Sequence, residues 1–383
     1  MALEVAYLTN QLPWPPISGG QVREWELLRR VVPRCAVHLF AVGEYADRDR
    51  GVVGRLPLDV RSVHLAGATA PAPDGPVSTY RERVHHSRGF ASVVAAVLEQ
   101  HPVDVVHVEG YFLMQHVPPT AVPVLVMTEN VEYLIEVQLG HVAEAALAAE
   151  RCALDRATVV GAVSDADARE LRRLLPGKDV VVVPNGVDHL GGPHPPAGPH
   201  AGPLLVAYIA NYTWPPSADG AAHLLDTLWP EIRRRTGKAT LLLVGPGMDP
   251  HLAERVHRTP GVEATGYVRD LDRLYADVDL LVCASRFGGG TKVKVLEALA
   301  AGRPLVALAP CAEGLPASAL DGIRVCGTDA EFVESAVALL SCPAERAALA
   351  HRAVLAARSL PRWDDVATEL VSLWRDLARR GTA

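Results

Sequence analysis

Short, nearly unbroken apolar runs alternate along the chain with longer stretches whose apolar positions recur at helical spacing. The first series of runs is EVAYLT (from Glu4), AVHLFAV (Ala36), DVVHVE (Asp104), PVLVMT (Pro123), ATVVGAV (Ala157) and DVVVVP (Asp179). A second series begins at LLVAYIA (Leu204) and continues with ATLLLVG (Ala239), VEATGYV (Val262), DLLVCAS (Asp279), RPLVALA (Arg303) and GIRVCG (Gly322). Runs that do not alternate apolar with polar predict parallel strands covered on both faces. Their alternation with helical patterns predicts right-handed βαβ units.

Between the two series lies HLGGPHPPAGPHAGP, residues 189–203, too rich in Gly and Pro for a helix or a central strand. A chain of 383 residues also exceeds one ordinary core. The prediction is an α/β protein of two doubly wound parallel-sheet domains facing a central cleft. The first takes residues 1–190, a linker 191–203 and the second domain 204–360. The amphipathic stretch WDDVATELVSLWRDLARR places a helix in residues 361–383 that closes the second domain or crosses back to the first. Ligands of such sheets bind at the carboxyl ends of the strands.

Charge and composition narrow the function. The net charge of −7, with arginines scattered and no basic stripe, argues against nucleic acid as a partner. The six cysteines (Cys35, Cys152, Cys283, Cys311, Cys326 and Cys342) have neither zinc nor redox spacing. The amino terminus lacks the basic lead and apolar core of a signal peptide, and no apolar run reaches membrane length. A soluble, cytoplasmic protein is expected, without stable membrane insertion. No metal is expected: Asp-x-Asp strings at 47–49, 165–167, 270–272 and 277–279 stand away from the glycine loop described next. The histidines His85, His86, His194 and His200 read as solvated side chains.

The most informative stretch is SRFGGGTKVKVLEALAAG, residues 285–302. A glycine loop between a strand and a helix lets backbone approach a ligand closely, and free amides at the helix start favour an anion. Thr291 is the expected N-cap. Lys292 and Lys294 oppose the helix dipole by roughly 0.3–1 kcal/mol each, a conflict that a bound diphosphate removes. Glu297, on the face shared with Ala301, is placed to accept the two hydroxyls of a ribose. The competing reading is a glycine turn with solvated lysines and a surface Glu–Lys pair.

At this point the sequence resembles glycosyltransferase family four, the retaining transferases of GT-B fold, in its glycine-rich GGGTK branch. The matching pieces stand in order over nearly the whole chain: LPWPPISGGQVR (from Leu12), TENVEYL (Thr128), VVPNGVD (Val182), LLLVGPG (Leu241), VEATGYVRDLDRLYADVDLLV (Val262) and GGGTKVKVLEALAAGRPLV (Gly288). The resemblance implies two Rossmann-like domains, an acceptor-binding one at the amino terminus and a nucleotide-sugar-binding one after it. It assigns the donor to Gly19, Gly20, Gly245, Tyr267, Val268, Arg286, Gly289, Gly290, Thr291, Lys292, Lys294 and Glu297. Acceptor contacts fall to Trp14, Glu109 and Tyr111, and positioning of acceptor or sugar in the reaction to Glu129 and Asn130.

Three departures stand out. Gly289 occupies the place of the first glutamate of the family's pair. The segment YIANYTWPPSADG, residues 208–220, lacks the family's Arg and Lys, leaving Arg286, Lys292 and Lys294 to meet the phosphate charge. Glu129 stands where relatives have a histidine. The expected activity is metal-independent, retaining hexosyl transfer from a nucleoside-diphosphate sugar, UDP-sugar first, to a hydroxyl of a small-molecule acceptor such as a natural-product intermediate, or of a glycan. No further cofactor is implied. A nucleotide-sugar-binding partner subunit of weak activity and a nucleotide-sugar epimerase are the alternatives; the oligomeric state stays open.

Overall fold

The computed structural model describes residues 2–43, 45–69, 79–140, 143–194, 202–237 and 239–381. Most of the expected linker, and His200 with it, lies outside the described residues. The chain forms two compact units. One comprises Met1–Pro16, Gly20–Pro184 and Asp364–Ala383, the other Ile17–Gly19 and Asn185–Trp363.

The first unit is built on seven strands: β1 (Leu3–Thr9), β2 (Cys35–Gly43), β3 (Ser62–Gly67), β4 (Val105–Glu109), β5 (Val124–Thr128), β6 (Val159–Ala162) and β7 (Val180–Val182). They lie in the order β3-β2-β1-β4-β5-β6-β7, and every pair is parallel. β1, β4, β5 and β6 are buried along their whole length or nearly so, as their unbroken apolar runs require. β3 was not among the expected strands. It is the edge strand, half-buried throughout, and its SVHLAG mixes polar and apolar residues with no run to find. From Asp364 onward the helix Trp363–Gly381 belongs to this unit, with Leu370, Trp374 and Leu377 fully buried.

The second unit holds β8 (Leu205–Ile209), β9 (Thr240–Val244), β10 (Val262–Gly266), β11 (Leu280–Cys283), β12 (Leu305–Leu308) and β13 (Arg324–Cys326), in the order β10-β9-β8-β11-β12-β13. It too is wholly parallel. In both sheets the order reverses beside the first strand, between β1 and β4 and between β8 and β11, and such switch points open a crevice at the carboxyl ends. An aspartate clips each junction at its other end: Asp104 Oδ2 accepts the N–H of Glu4 at 2.8 Å, and Asp279 Oδ2 that of Leu205 at 2.8 Å.

Gly245, just past β9, has φ +129°, and a Cβ there would lie 1.8 Å from the carbonyl oxygen of Ala210. Gly245→Ala is expected to destabilise the protein by about 3 kcal/mol through backbone displacement. Urea unfolding with an unchanged m-value checks it. Among the described residues no helix is long and apolar enough to cross a membrane. All six cysteines are free thiols.

Candidate active site

In the second unit, β11 runs into the glycine loop. Gly288 and Gly290 have φ +130° and +62°, conformations open to glycine and strained for other residues. The helix that follows is Val293–Ala300. Its N-cap is Lys292, not Thr291, and no side chain caps it. The expected cap is engaged elsewhere: Thr291 Oγ1 accepts from Asn185 Nδ2 at 2.7 Å. The first amides of the helix thus keep their capacity to meet an acceptor.

The three cations sit differently from one another. Lys292 Nζ donates to the carbonyl of Gly289 at 2.6 Å, tying the loop to its own helix, and burial lowers its pKa. Lys294 Nζ lies 4.8 Å from the ring centroid of Tyr208, a cation–π contact. Arg286 is paired with Asp219 (Nε to Oδ2, 3.0 Å), on a half-exposed side chain. Tyr267 is exposed, whereas Val268 packs against the apolar cluster containing Tyr275 and Leu296. A Cβ on Gly19 would lie 3.3 Å from Val293 Cγ2, which sets Gly19 beside the first residue of the loop's helix.

Glu297 is buried in that helix and held from two sides. His189 Nε2 lies 2.8 Å from Oε1, and the Tyr275 hydroxyl donates to Oε2 at 2.8 Å. The indole N–H of Trp363 points at His189 Nδ1, 3.2 Å away. An indole can only donate, so Nδ1 carries the lone pair and Nε2 the proton that Glu297 accepts. Burial works against ionisation of Glu297. The hydrogen bond of His189, the Tyr275 hydroxyl and the charge of Lys294 outweigh it and hold the carboxyl below its usual range. Each oxygen keeps a second lone pair for another donor.

The first unit repeats this arrangement at its own switch point. Trp374 Nε1 donates to His107 Nδ1 (3.1 Å), His107 Nε2 donates to Glu109 Oε1 (2.9 Å), and the Tyr7 hydroxyl reaches the same oxygen at 2.6 Å. Tyr7 and His107 stack with centroids 4.3 Å apart. Glu109 is the last residue of β4, and Glu129 follows β5 directly. Glu24, from the helix Gly19–Val31, completes a group of three carboxylates around Arg23, whose guanidinium donates to the carbonyls of Val183 and Pro184 at 2.9 Å each. One oxygen on each acid (Glu24 Oε2, Glu109 Oε2, Glu129 Oε1) is fully enclosed without a hydrogen-bond partner.

These acids differ in charge. Burial, then the charges of Glu109 and Glu129, push Glu24 well above the usual carboxylate range. Glu129 is pushed up to about 7, chiefly by burial and by Glu109. Burial opposes ionisation of Glu109 as well, but His107, Arg23 and Tyr7 prevail and hold it low. The group therefore combines a carboxylate favoured in its ionised form, Glu109, with two acids, Glu24 and Glu129, whose protonated forms are favoured. It can both accept from and donate to hydroxyls. Gly20 lies against it: a Cβ there would come within 2.7 Å of Glu129 Oε2, so a larger residue would displace that carboxyl.

The structure thus brings Glu109 and Glu129 together, with Gly20 against them. Asn130 follows Glu129 in sequence, its Nδ2 3.3 Å from Glu132 Oε1. Tyr111 is not part of the group: it is buried, with its hydroxyl on Thr79 Oγ1 at 3.0 Å. Trp14 is half-buried in the loop after β1. Sequence reasoning missed Tyr7, Arg23, Glu24, His107, His189, Tyr275, Trp363 and Trp374. The available signal was polar intrusion into apolar runs, as His107 and Glu109 in DVVHVE.

Two parallel-sheet α/β units, each with a polar cluster at its switch point, have the architecture of a GT-B glycosyltransferase, and the chain is a glycosyltransferase of that type. Residues 17–189 match the model of Glycosyltransferase Family 4, and residues 203–342 that of Glycosyl transferases group 1. No curated protein matches the sequence significantly. Among solved structures, sucrose-phosphate synthase from Thermosynechococcus elongatus is similar with a TM-score of 0.74 at 16% identity, over 99% of this chain and 100% of that one. Anabaena HepE in complex with UDP and glucose gives 0.69 at 16% identity, over 98% and 100%. TarM gives 0.73 at 9% identity, over 99% of each chain.

Proposed function

We propose that the protein transfers a sugar, with retention at the anomeric carbon, from a nucleoside-diphosphate sugar to a hydroxyl of a small-molecule acceptor, without a metal. The observation that carries this reading is the pairing of a positive-φ glycine loop with an ionised, buried Glu297 in the helix it leads into. The backbone amides of Gly289, Gly290 and Thr291 face the diphosphate, and Lys292 and Lys294 supply positive charge beside it. Glu297 accepts the ribose hydroxyls through its remaining lone pairs. Tyr267 and Val268 flank the base, while Gly19 and Gly245 allow close backbone. UDP-sugar is the first donor to test, since HepE was solved with UDP and glucose.

In the reaction the bond between the anomeric carbon and the diphosphate oxygen breaks, and the acceptor oxygen bonds to that carbon on the same face. The acceptor proton passes to the departing phosphate, so no protein nucleophile is needed. Glu109, Glu129 and Asn130 orient the acceptor hydroxyl. The localisation proposed is cytoplasmic.

Incubation with UDP-, GDP-, ADP- and TDP-sugars and a panel of small aglycones and polyprenyl lipids tests the reading. Nucleoside-diphosphate release and an NMR-defined retained linkage are expected with one donor class. An inverted product overturns the stereochemistry, and dependence on added Mg2+ the metal-independence. Tight donor binding without turnover on any acceptor favours the partner-subunit alternative.

A further inference from the structure

At the opposite, amino-terminal edge of the first sheet stands a second polar cluster that sugar transfer does not use. Glu4 from β1, His38 from β2 and His101, just past the helix Phe90–Gln100, turn their ligating atoms toward one point, all within 4.8 Å of one another. His38 Nε2 is 2.8 Å from Glu4 Oε1, and His101 Nδ1 is 3.5 Å from the same oxygen. We propose that Glu4, His38 and His101 form a binding site for a divalent transition metal of the Zn2+ type, clamping β1 and β2 to the start of β4.

The chemistry of the donors fits. Two imidazoles and one carboxylate are a borderline set that suits Zn2+ and disfavours Mg2+ and Ca2+, which take oxygen ligands. Tetrahedral Zn2+ with bonds near 2.0–2.1 Å sets its ligands about 3.4 Å apart, and the spacings here bracket that figure. The surroundings are those of an oriented ligand. His38 is fully buried, and its other nitrogen, Nδ1, sits 2.8 Å from Ser62 Oγ. That contact fixes the ring and leaves Nε2 for the metal. The backbone N–H of Glu4 is held by Asp104. The His101 ring lies 4.4 Å from that of His38, and its side chain is 35% exposed, which gives an entry path and room for a water as fourth ligand. Among the described residues no other three His, Cys, Asp or Glu converge in this way.

The hydrogen bond between His38 and Glu4 occupies the place of the metal in its absence. The site lies at the amino ends of the strands, away from the carboxyl-end groups assigned to donor and acceptor, so it acts on stability and not on the transfer step.

The test uses the full-length, tag-free chain, stripped with chelator and titrated with Zn2+ by calorimetry, with Mg2+ as the control. One equivalent is expected to bind, and the melting temperature to rise by on the order of 5 °C at a hundredfold excess over Kd. Co2+ in place of Zn2+ should give the visible absorption of a tetrahedral site. His101→Gln, a change at a partly exposed position, should lose the equivalent, the thermal shift and the Co2+ bands while keeping sugar transfer. His38→Asn should do the same where it folds. Zn2+ binding by His101→Gln with the stoichiometry and affinity of the parent overturns the proposal, as does a parent whose melting temperature does not respond to Zn2+.

Discussion

At pH 8 the Glu129→Gln variant should be more stable than the parent by on the order of 3 kcal/mol, and at pH 5 by only about 1 kcal/mol. The sign follows from the raised carboxyl. Glu129 has a folded pKa of about 7, against roughly 4.3 in an unfolded chain. Between these values the native state binds more protons than the unfolded one, so stability falls as pH rises through the window. Above it the protein must hold a charge in a site already containing ionised Glu109 and offering one of its oxygens no partner. An amide of the same shape removes that charge. Glu24, also raised, adds to the same slope. Glu109 and Glu297 work in the opposite sense: their carboxyls are depressed, so their contribution is present above the ordinary carboxylate range and is lost on acidification. Guanidinium unfolding of parent and variant from pH 5 to 8 measures the difference. A variant less stable than the parent at pH 8 refutes the ionisation assigned to Glu129. If Glu129 orients the acceptor hydroxyl, the same variant loses turnover while gaining stability, the usual cost of charges kept at a functional site.

The contrast between what the sequence foretells and what it hides has a physical cause. Twelve strands were legible as largely apolar runs between turn residues; the central ones, such as β5, β11 and β12, are buried at every position and carry few polar side chains, whereas the edge strands β10 and β13 are mostly exposed. β3 escaped because an edge strand is half-solvated and needs no run. The glycine loop was legible because three consecutive glycines have few uses. The support beneath Glu297 was not. His189 lies over a hundred residues from Glu297 in sequence and sits at the head of a Gly/Pro-rich stretch. Tyr275 and Trp363 look like ordinary apolar positions of amphipathic helices. Arg23 and Glu24 likewise read as a solvated helix face, although both are almost fully buried. A buried ionic group assembled from distant segments leaves no local signature, because its members are chosen to satisfy one another and not their neighbours in the chain. The N-cap was misplaced for a related reason: the hydroxyl of Thr291 is recruited by Asn185, a tertiary partner that propensity does not see.

Glu297→Ala should weaken binding of the donor nucleotide by about a hundredfold or more, the worth of two hydrogen bonds from ribose hydroxyls to a carboxylate. It should also cost about 2–4 kcal/mol of stability, because the Tyr275 hydroxyl and His189 Nε2 lose their acceptor inside the core. The two effects are separable. Tyr275→Phe removes a donor to Glu297 Oε2 but leaves the carboxylate in place. It should let the Glu297 pKa rise, so that donor binding weakens chiefly at acidic pH and recovers toward neutrality. Trp363→Phe removes the indole that sets the proton on His189 Nε2. His189 can then present a lone pair to Glu297 instead of a proton, which should raise the donor KM while leaving kcat close to that of the parent. Calorimetric titration with UDP and donor-dependent kinetics across pH 5–8 distinguish these outcomes. A folded Glu297→Ala protein that binds every donor class as tightly as the parent removes Glu297 from the ribose site, and leaves the tryptophan–histidine–glutamate–tyrosine arrangement as a purely structural pin of the loop's helix. Loss of binding in Glu297→Ala together with an acid-shifted defect in Tyr275→Phe assigns to that arrangement the task of keeping a buried carboxylate charged where the donor must find it.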